Sequence, residues 1–210
     1  MADTRQFAFL IPELDFLAAT KLTGENGNIR DRVSRLMKSG KIQGVVPGIY
    51  ISSVEFRRRP VSLEILANKI YGPSYVSFEY VLARAGLIPE AVYGITSATT
   101  KRNRNFDTHL GRFSYRYLSP GVYPFGWTSE ILADGSSYLI ATPEKALLDL
   151  LYRTGALRSK KALEARLFED FRVDPDAFRS LDKERLLAYA MNMPGDTFRI
   201  HLPKLLENHL

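Results

Sequence analysis

Read from the N-terminus, the chain changes its hydrophobic period several times, and each change marks an element. Residues 4–11, TRQFAFLI, read as a first short helix, with Pro12 ending it or opening the next. PELDFLAATKL (12–22) has Pro12 at an N1-like position, two early acids, and Leu14, Leu17 and Ala18 on one side, which predicts a helix of about two turns. The turn-rich TGENGN follows. In NIRDRVSRLMKSG, Ile29, Val33, Leu36 and Met37 recur at helical spacing, with Asn28 as a good N-cap and Gly40 as a good stop. The pattern then becomes a β-branched run, a Pro47-Gly48 break and a second β-branched run, predicting a hairpin over residues 41–52. A two-stranded ribbon is marginal in water, so Val45, Ile49 and Ile51, or their alternates, are expected to pack on the helices.

Beyond Pro60 the pattern is different in kind. VSLEILANKIYG (61–72) is helical with a glycine stop, and SYVSFEYVLARAGLIP (74–89) begins strand-like, turns helical and stops at Gly86. AVYGITSAT (91–99) reads as a strand. LGRFSYRYLS (110–119) alternates, with Phe113, Tyr115 and Tyr117 on one side and Arg112, Ser114 and Arg116 on the other, as in a half-buried strand. FGWTSEILADGSSYLIAT (125–142) holds two strands around the hairpin dipeptide Asp134-Gly135. TPEKALLDLLY (142–152) opens a helix firmly, with Thr142 as N-cap, Pro143 at N1 and Glu144 in the first turn. Residues 159–210 give three more helical stretches, broken near Asp174-Pro175 and Pro194-Gly195. The class is α+β: an N-terminal unit over 1–55, then a mixed α+β domain over 56–210 with a helical C-terminal part.

Charge sharpens the N-terminal unit. Residues 28–59 carry eight basic groups against two acids, which equals the net charge of +6 of the whole 210-residue chain. A basic stretch in an otherwise near-neutral chain is the electrostatic footprint of a polyanion contact. Helix, turn, basic amphipathic helix and β-ribbon, in that order, is the layout of a winged helix-turn-helix. Its third helix enters the major groove of duplex DNA while the ribbon lies beside the backbone. Arg32 and Arg35 are the candidates for base or phosphate contact, with Asn28, Arg30 and Ser34 beside them, and Lys38, Lys41 and Gln43 for the backbone. EFRRRP (55–60) marks the boundary, as a phosphate-tracking linker or a solvated one.

Other chemistry is sparse. The chain has no cysteine, which excludes disulfides and thiolate metal sites and fits a reducing cytoplasm. His109, His201 and His209 lie in separate segments without ligand spacing, so no metal or other cofactor is expected. No apolar run reaches the roughly 18–20 residues of a membrane helix, and the N-terminal residues lack the pattern of a secretory signal. The loop TTKRNRN, with Lys101, Arg102 and Arg104, is a second basic site able to meet nucleic acid. Phe113, Tyr115 and Tyr117 between Arg112 and Arg116 resemble a base-stacking platform, although an inward aromatic face is the commoner use. Glu144, Lys145 and Asp149 read as structural, through the helix dipole and an i,i+4 pair. Asp107, Glu130, Asp134 and Glu144 do not combine into a nuclease pattern, and no Gly-rich phosphate loop, GxSxG or thiol nucleophile is present. The chain reads as non-enzymatic.

GKIQGVVPGIYI, SYVSFEYVLARAGLIPEAVYGITSATTKRNR, GRFSYRYLSP and IATPEKALLDLLY, in that order, resemble the AbiEi antitoxin family of abortive-infection, type IV toxin–antitoxin systems. The resemblance covers roughly residues 12–155, and PEKALLDLLY is its most specific part. It implies a winged helix that binds repeats in the operon promoter and represses transcription; because one small module gives limited specificity, a dimer or a cooperative multimer on DNA is expected. It also implies a C-terminal domain that opposes a nucleotidyltransferase-like toxin without a stable complex. Family wings read Arg-Gly-x-Tyr, and here Pro47 holds the arginine's place before Gly48, Ile49 and Tyr50, so wing contacts fall to Lys41 or Gln43. The alternative is a DNA-binding regulator whose C-terminal domain senses a ligand or a protein, with no toxin.

Overall fold

The computed structural model describes residues 11–21, 28–90 and 92–209. The N-terminal unit runs β1 (Glu13–Asp15), α1 (Phe16–Lys21), α2 (Ile29–Lys38), β2 (Ile42–Val46) and β3 (Ile49–Ser52). Its antiparallel sheet has the order β1-β3-β2. The expected helix over 4–11 falls almost wholly outside the described residues. The expected helix over 12–22 is corrected: Glu13–Asp15 is a strand, with Leu14 opposite Tyr50, and the helix begins only at Phe16. The strand sends alternate side chains to opposite faces, so Leu14 and Glu13 are both buried, against different neighbours. Leu17, expected on the apolar side, is 67% exposed.

The helix expected after Asn28 is present as α2. The Asn28 side chain accepts the Arg30 N–H at 3.0 Å and caps it. Val33 and Leu36 are buried, but Met37 is 46% exposed, so the apolar stripe is narrower than its sequence pattern. Val33 and Leu36 join Leu14, Ala19 and Ile42 in a small core, with Phe16, Tyr50 and Phe56 packed against it.

The small sheet is covered on both faces. Residues directly opposite in antiparallel strands share a face, and Tyr50 pairs with Leu14 and Gly44 on the α1/α2 side. Ile49 and Ile51 point the other way, into the core of the larger unit, and Val45 and Val46 pack on that core too. Of the two alternating sets expected to meet the helices, it is the alternates Ile42 and Tyr50 that do so, while Val45, Ile49 and Ile51 face the larger unit. Both sets are apolar, so the alternation fixes two faces without naming the partner of either.

The larger unit is built on a six-stranded sheet with the order β6-β7-β5-β4-β9-β8. Its strands are β4 (Ser74–Val76), β5 (Gly94–Thr99), β6 (Arg104–Thr108), β7 (Gly111–Tyr117), β8 (Trp127–Ile131) and β9 (Ser137–Ala141). β4 with β9 and β5 with β7 run parallel, and the other pairs are antiparallel. The helices are α3 (Leu63–Ile70), α4 (Glu79–Arg84), α5 (Pro143–Arg153), α6 (Lys160–Ala165), α7 (Pro175–Arg179), α8 (Lys183–Ala190) and α9 (Leu202–His209). π-helical turns over Arg166–Asp170 and Thr197–His201 extend α6 and precede α9. The α+β class holds. The hairpin expected at Asp134-Gly135 forms, with Gly135 at a φ of 79° in the turn. The basic loop expected over 99–105 is shorter, because Arg104 opens the edge strand β6.

Arg59 fastens the two units together. It donates to both carboxylate oxygens of Glu13 at 2.8 Å, to Asp134 at 2.5 Å and to the Ser136 hydroxyl at 3.0 Å. The Glu13 side chain has no solvent exposure and also accepts the Ser62 N–H at 2.5 Å. The third arginine of the RRR run is therefore a clamp between β1 and the β8–β9 turn, rather than a phosphate-tracking or solvated residue. Lys69 of α3 adds a looser pair with Asp15 at 3.5 Å.

Removing one partner of a buried pair strands the other charge. Arg59→Ala is therefore expected to lower the unfolding free energy by about 3 kcal/mol in a denaturant titration. Arg58→Ala, at the exposed neighbour, should change it by less than about 0.5 kcal/mol, and equal effects would refute the clamp. Asp134 supplies a pH signature. The Ser136 hydroxyl, then the Arg59 guanidinium, holds its carboxyl at about 2 against an ordinary 3.8. A depressed folded-state pKa contributes stability above the ordinary value and loses it as pH falls through the folded value. Across the window from 3.8 down to about 2, the wild-type denaturation midpoint should fall more steeply than that of Asp134→Asn.

Candidate nucleic-acid interface

α2 presents the basic face that the sequence predicts. Arg30, Arg35 and Lys38 are exposed, while Arg32 and Ser34 are half-buried. Arg30, Ser34 and Lys38 follow at i,i+4 spacing along one stripe, with Asp31 and Arg35 beside it. Arg35 and Lys38 also suit the last turn of a helix, where a cation meets the negative end of the dipole. Among the described residues, Arg30, Arg35 and Lys38 have no ion-pair partner. Val33 and Leu36 hold the opposite side against the sheet, so the cations face away from the protein.

The remaining sequence-predicted contacts are less uniform. Asn28 is exposed, but its side-chain oxygen is engaged as the cap. Lys41 is half-buried, with its ammonium 5.9 Å from the centroid of the Phe56 ring. Its turn is pinned by Lys41 N–H to Leu36 O at 3.0 Å and Ser53 N–H to Lys41 O at 2.9 Å. Gln43 is exposed, yet it lies opposite Ile51 and leaves the sheet on the face turned to the larger unit, not on the α2 side. β2 also lies against β6. At the end of the ribbon Pro47 is exposed too.

The structure divides the second basic site. Lys101 and Arg102 stay in the loop, and the Lys101 ammonium donates to the Gly72 carbonyl and sits 5.2 Å from the Tyr71 centroid. Arg104 belongs to β6, where it stacks 4.7 Å from the Phe106 centroid and 5.7 Å from that of Tyr71. Arg153, from the last turn of α5, joins Lys101 and Arg102 instead. Nothing local marks Arg153, whose only sequence signal is a cation in a last helical turn.

The aromatic face of β7 turns inward, the commoner of its two uses. Phe113 and Tyr115 are 0% and 1% exposed, and the Tyr115 hydroxyl donates to the Ala67 carbonyl at 2.7 Å. Of that aromatic face only Tyr117, at 39%, reaches the surface. Arg112 pairs with Asp107 at 2.9 Å, and Arg116 with Glu79 at 2.7 Å.

The acids weighed for a nuclease are each held separately. Arg84 and Tyr138 hold Glu130, Arg59 holds Asp134, and Glu144 accepts the Asp182 N–H at 3.1 Å. Glu144 thus serves the start of α8 as well as its own helix. Among the described residues, no group of three or more His, Cys, Asp or Glu could hold a metal, and no helix is long and apolar enough to cross a membrane.

Lys145 and Asp149 form the i,i+4 ion pair that their spacing predicts, but with both side chains fully buried. Asp149 accepts hydroxyls from Tyr75 at 2.9 Å and Ser77 at 2.8 Å, while Lys145 donates to Val122 O at 2.9 Å. The Lys145 ammonium also lies 4.6 Å from the Phe125 centroid. Burial pushes the Asp149 carboxyl up and the Lys145 ammonium down, and each charge opposes that shift on its partner. The ammonium and both carboxylate oxygens each have partners inside the protein, so the cluster is structural.

No protein-family model matches the chain, and no curated protein matches it.

Lys145→Met is expected to destabilise the protein by about 3–5 kcal/mol, because Asp149 is left charged and buried. The double variant Lys145→Met/Asp149→Leu should lose less than the sum of the two single changes, as read by denaturant titration. Strictly additive losses would refute the coupling. Gly126→Ala should destabilise by the same network, since its Cβ would lie 2.8 Å from Lys145 Cβ and Cγ.

Proposed function

We propose that this protein is a DNA-binding transcriptional regulator whose α2 enters the major groove, and that it acts as the antitoxin and autorepressor of a toxin–antitoxin operon. The observation that carries the DNA half is α2 itself. It is capped at Asn28, packed through Val33 and Leu36, and presents Arg30, Arg35 and Lys38 outward without internal ion partners among the described residues. The order β1-α1-α2-β2-β3, with β3 between the other strands, supports a winged helix-turn-helix reading. A major groove about 12 Å wide admits such a helix. The ribbon is covered by the larger unit on one face, so its contribution is to phosphates near Pro47 and Lys41. One small module gives limited specificity, so two or more copies on repeated half-sites complete the operator. The antitoxin half is supported by the likeness of residues 12–155, above all PEKALLDLLY, to the AbiEi family.

A second reading, in which the larger unit senses a small ligand, is favoured by one observation. A cavity of about 490 Å³ is lined by Glu79, Thr96 and Arg116, with Ile88, Val92, Leu150 and Phe171 among its walls. Glu79 follows buried Phe78, whose φ of 60° and ψ of −140° are rare outside glycine. Co-expression with whichever gene adjoins this one separates the readings. Rescue of growth supports the antitoxin, and the lack of any toxic neighbour supports the sensor.

For DNA binding, the full-length protein should shift DNA from upstream of its own gene in preference to a scrambled control, and more weakly as salt rises. Arg30→Ala and Arg35→Ala should each weaken the shift by about 1–3 kcal/mol with folding intact. Where the arginine removed is one that neutralises a phosphate, the salt slope should also fall by about 1. Unchanged binding in both variants would refute α2 as the DNA-reading helix.

A further inference from the structure

The basic loop that the proposed DNA contact leaves unused lines a pocket of its own. This open surface depression of about 390 Å³ is lined by Thr100, Lys101, Arg102, Asn103, Tyr117 and Arg153. Three of these six residues are cations and none is an acid. Among the described residues, Arg102 and Arg153 have no ion-pair partner. Lys101 gives one N–H to the Gly72 carbonyl, which leaves the rest of its ammonium donors for another acceptor.

The pocket is held in shape before anything enters it. Asn103 Oδ1 accepts the Tyr117 N–H at 2.7 Å, tying the loop to the end of β7. The Thr99 hydroxyl accepts the Lys101 N–H at 3.2 Å and donates to the Pro73 carbonyl at 2.8 Å. The Asn103 amide NH₂ and the Thr100 hydroxyl remain as donors. Tyr117 is 39% exposed where the loop meets α5. A solvated loop accounts for Lys101 and Arg102, and a helix dipole accounts for Arg153. Neither accounts for cations from two distant segments lining one site beside an exposed aromatic ring. Like charges gathered without an acid repel one another, and a bound anion removes that repulsion.

We propose that this pocket binds a nucleoside phosphate, with Lys101, Arg102 and Arg153 on the phosphate oxygens and the Tyr117 ring stacked on the base. A bare inorganic anion has no use for the ring, and a closed duplex offers no free base face to it. The volume lies within the roughly 300–1,000 Å³ of small-molecule sites. A free nucleotide and the 5′-phosphorylated end of a single strand share this chemistry.

The test is calorimetric titration of the full-length protein with ATP, with a 5′-phosphorylated trinucleotide, and with pyrophosphate as the base-free control. ATP or the trinucleotide binds, and Arg102→Glu/Arg153→Glu weakens it by at least about tenfold. Tyr117→Ala weakens the base-bearing ligands and leaves pyrophosphate unchanged. The altered arginines are exposed, and an unchanged denaturation midpoint verifies that the variants fold. Arg35→Ala on α2 leaves the affinity intact, so a failure of the DNA reading does not touch this one. Tighter binding of ATP identifies a free nucleotide, and tighter binding of the trinucleotide identifies a strand end. No binding of either below about 1 mM, or unchanged affinity in the doubly reversed variant, overturns the proposal.

Discussion

The Lys145–Asp149 pair sits at the point where most of the larger unit meets. From Glu144 to Leu151 every residue of α5 is buried, so this stretch of the helix has no solvent face on which to leave a charge. Its ammonium and carboxylate satisfy one another, and they reach Tyr75 and Ser77 on and beside β4 and the carbonyl of Val122. A buried ion pair adds little net stability over a well-packed apolar pair, but separating its members is severe. Any other rotation of α5 would leave two charges in the core without partners. The pair therefore sets the rotation of the helix, which apolar packing from Ala146, Leu147, Leu150 and Leu151 alone leaves less sharply defined. Gly126 belongs to the same constraint, since the Lys145 side chain occupies the space where its Cβ would be.

A second constraint positions the N-terminal unit. Ile49 and Ile51 lie in the core of the larger unit while Tyr50 packs on that of α1 and α2. β3 is thus a shared layer, and the Arg59 clamp ties its neighbour β1 to the β8–β9 turn through Glu13 and Asp134. The consequence for recognition is directional. One face of the ribbon is taken by the larger unit, and α2, on the far side of the sheet, carries the outward cations. The proposed DNA contact would rely on the helix more than on the ribbon, at whose tip Pro47 stands.

The two basic regions differ in how their charges are assembled. On α2 the cations follow one helical stripe, so a run of sequence is enough to create the face. At the Tyr117 pocket the cations come from the loop between β5 and β6 and from the end of α5, and the parallel pairing of β5 with β7 sets that loop beside Tyr117. An extended polyanion suits the first arrangement. A compact phosphate with a flat ring suits the second.

The local elements were legible because their signals are local. Asn28 and Thr142 cap the helices their sequence announces, Asp134-Gly135 turns the hairpin, and the i,i+4 spacing pairs Lys145 with Asp149. The α+β class and the outward charge of α2 followed from period and composition in the same way. Tertiary structure alone decided the rest. Glu13–Asp15 became a strand because β3 offered it a partner, although Pro12 and two acids are good helix openers. Ile42 and Tyr50, rather than Val45, Ile49 and Ile51, met the helices, because alternation separates two faces and does not say what covers each. Arg59 and Arg153 took their roles from groups remote in sequence. A long charged side chain carries no local mark of its partner, since the ion pair or pocket it joins exists only once distant segments are packed together.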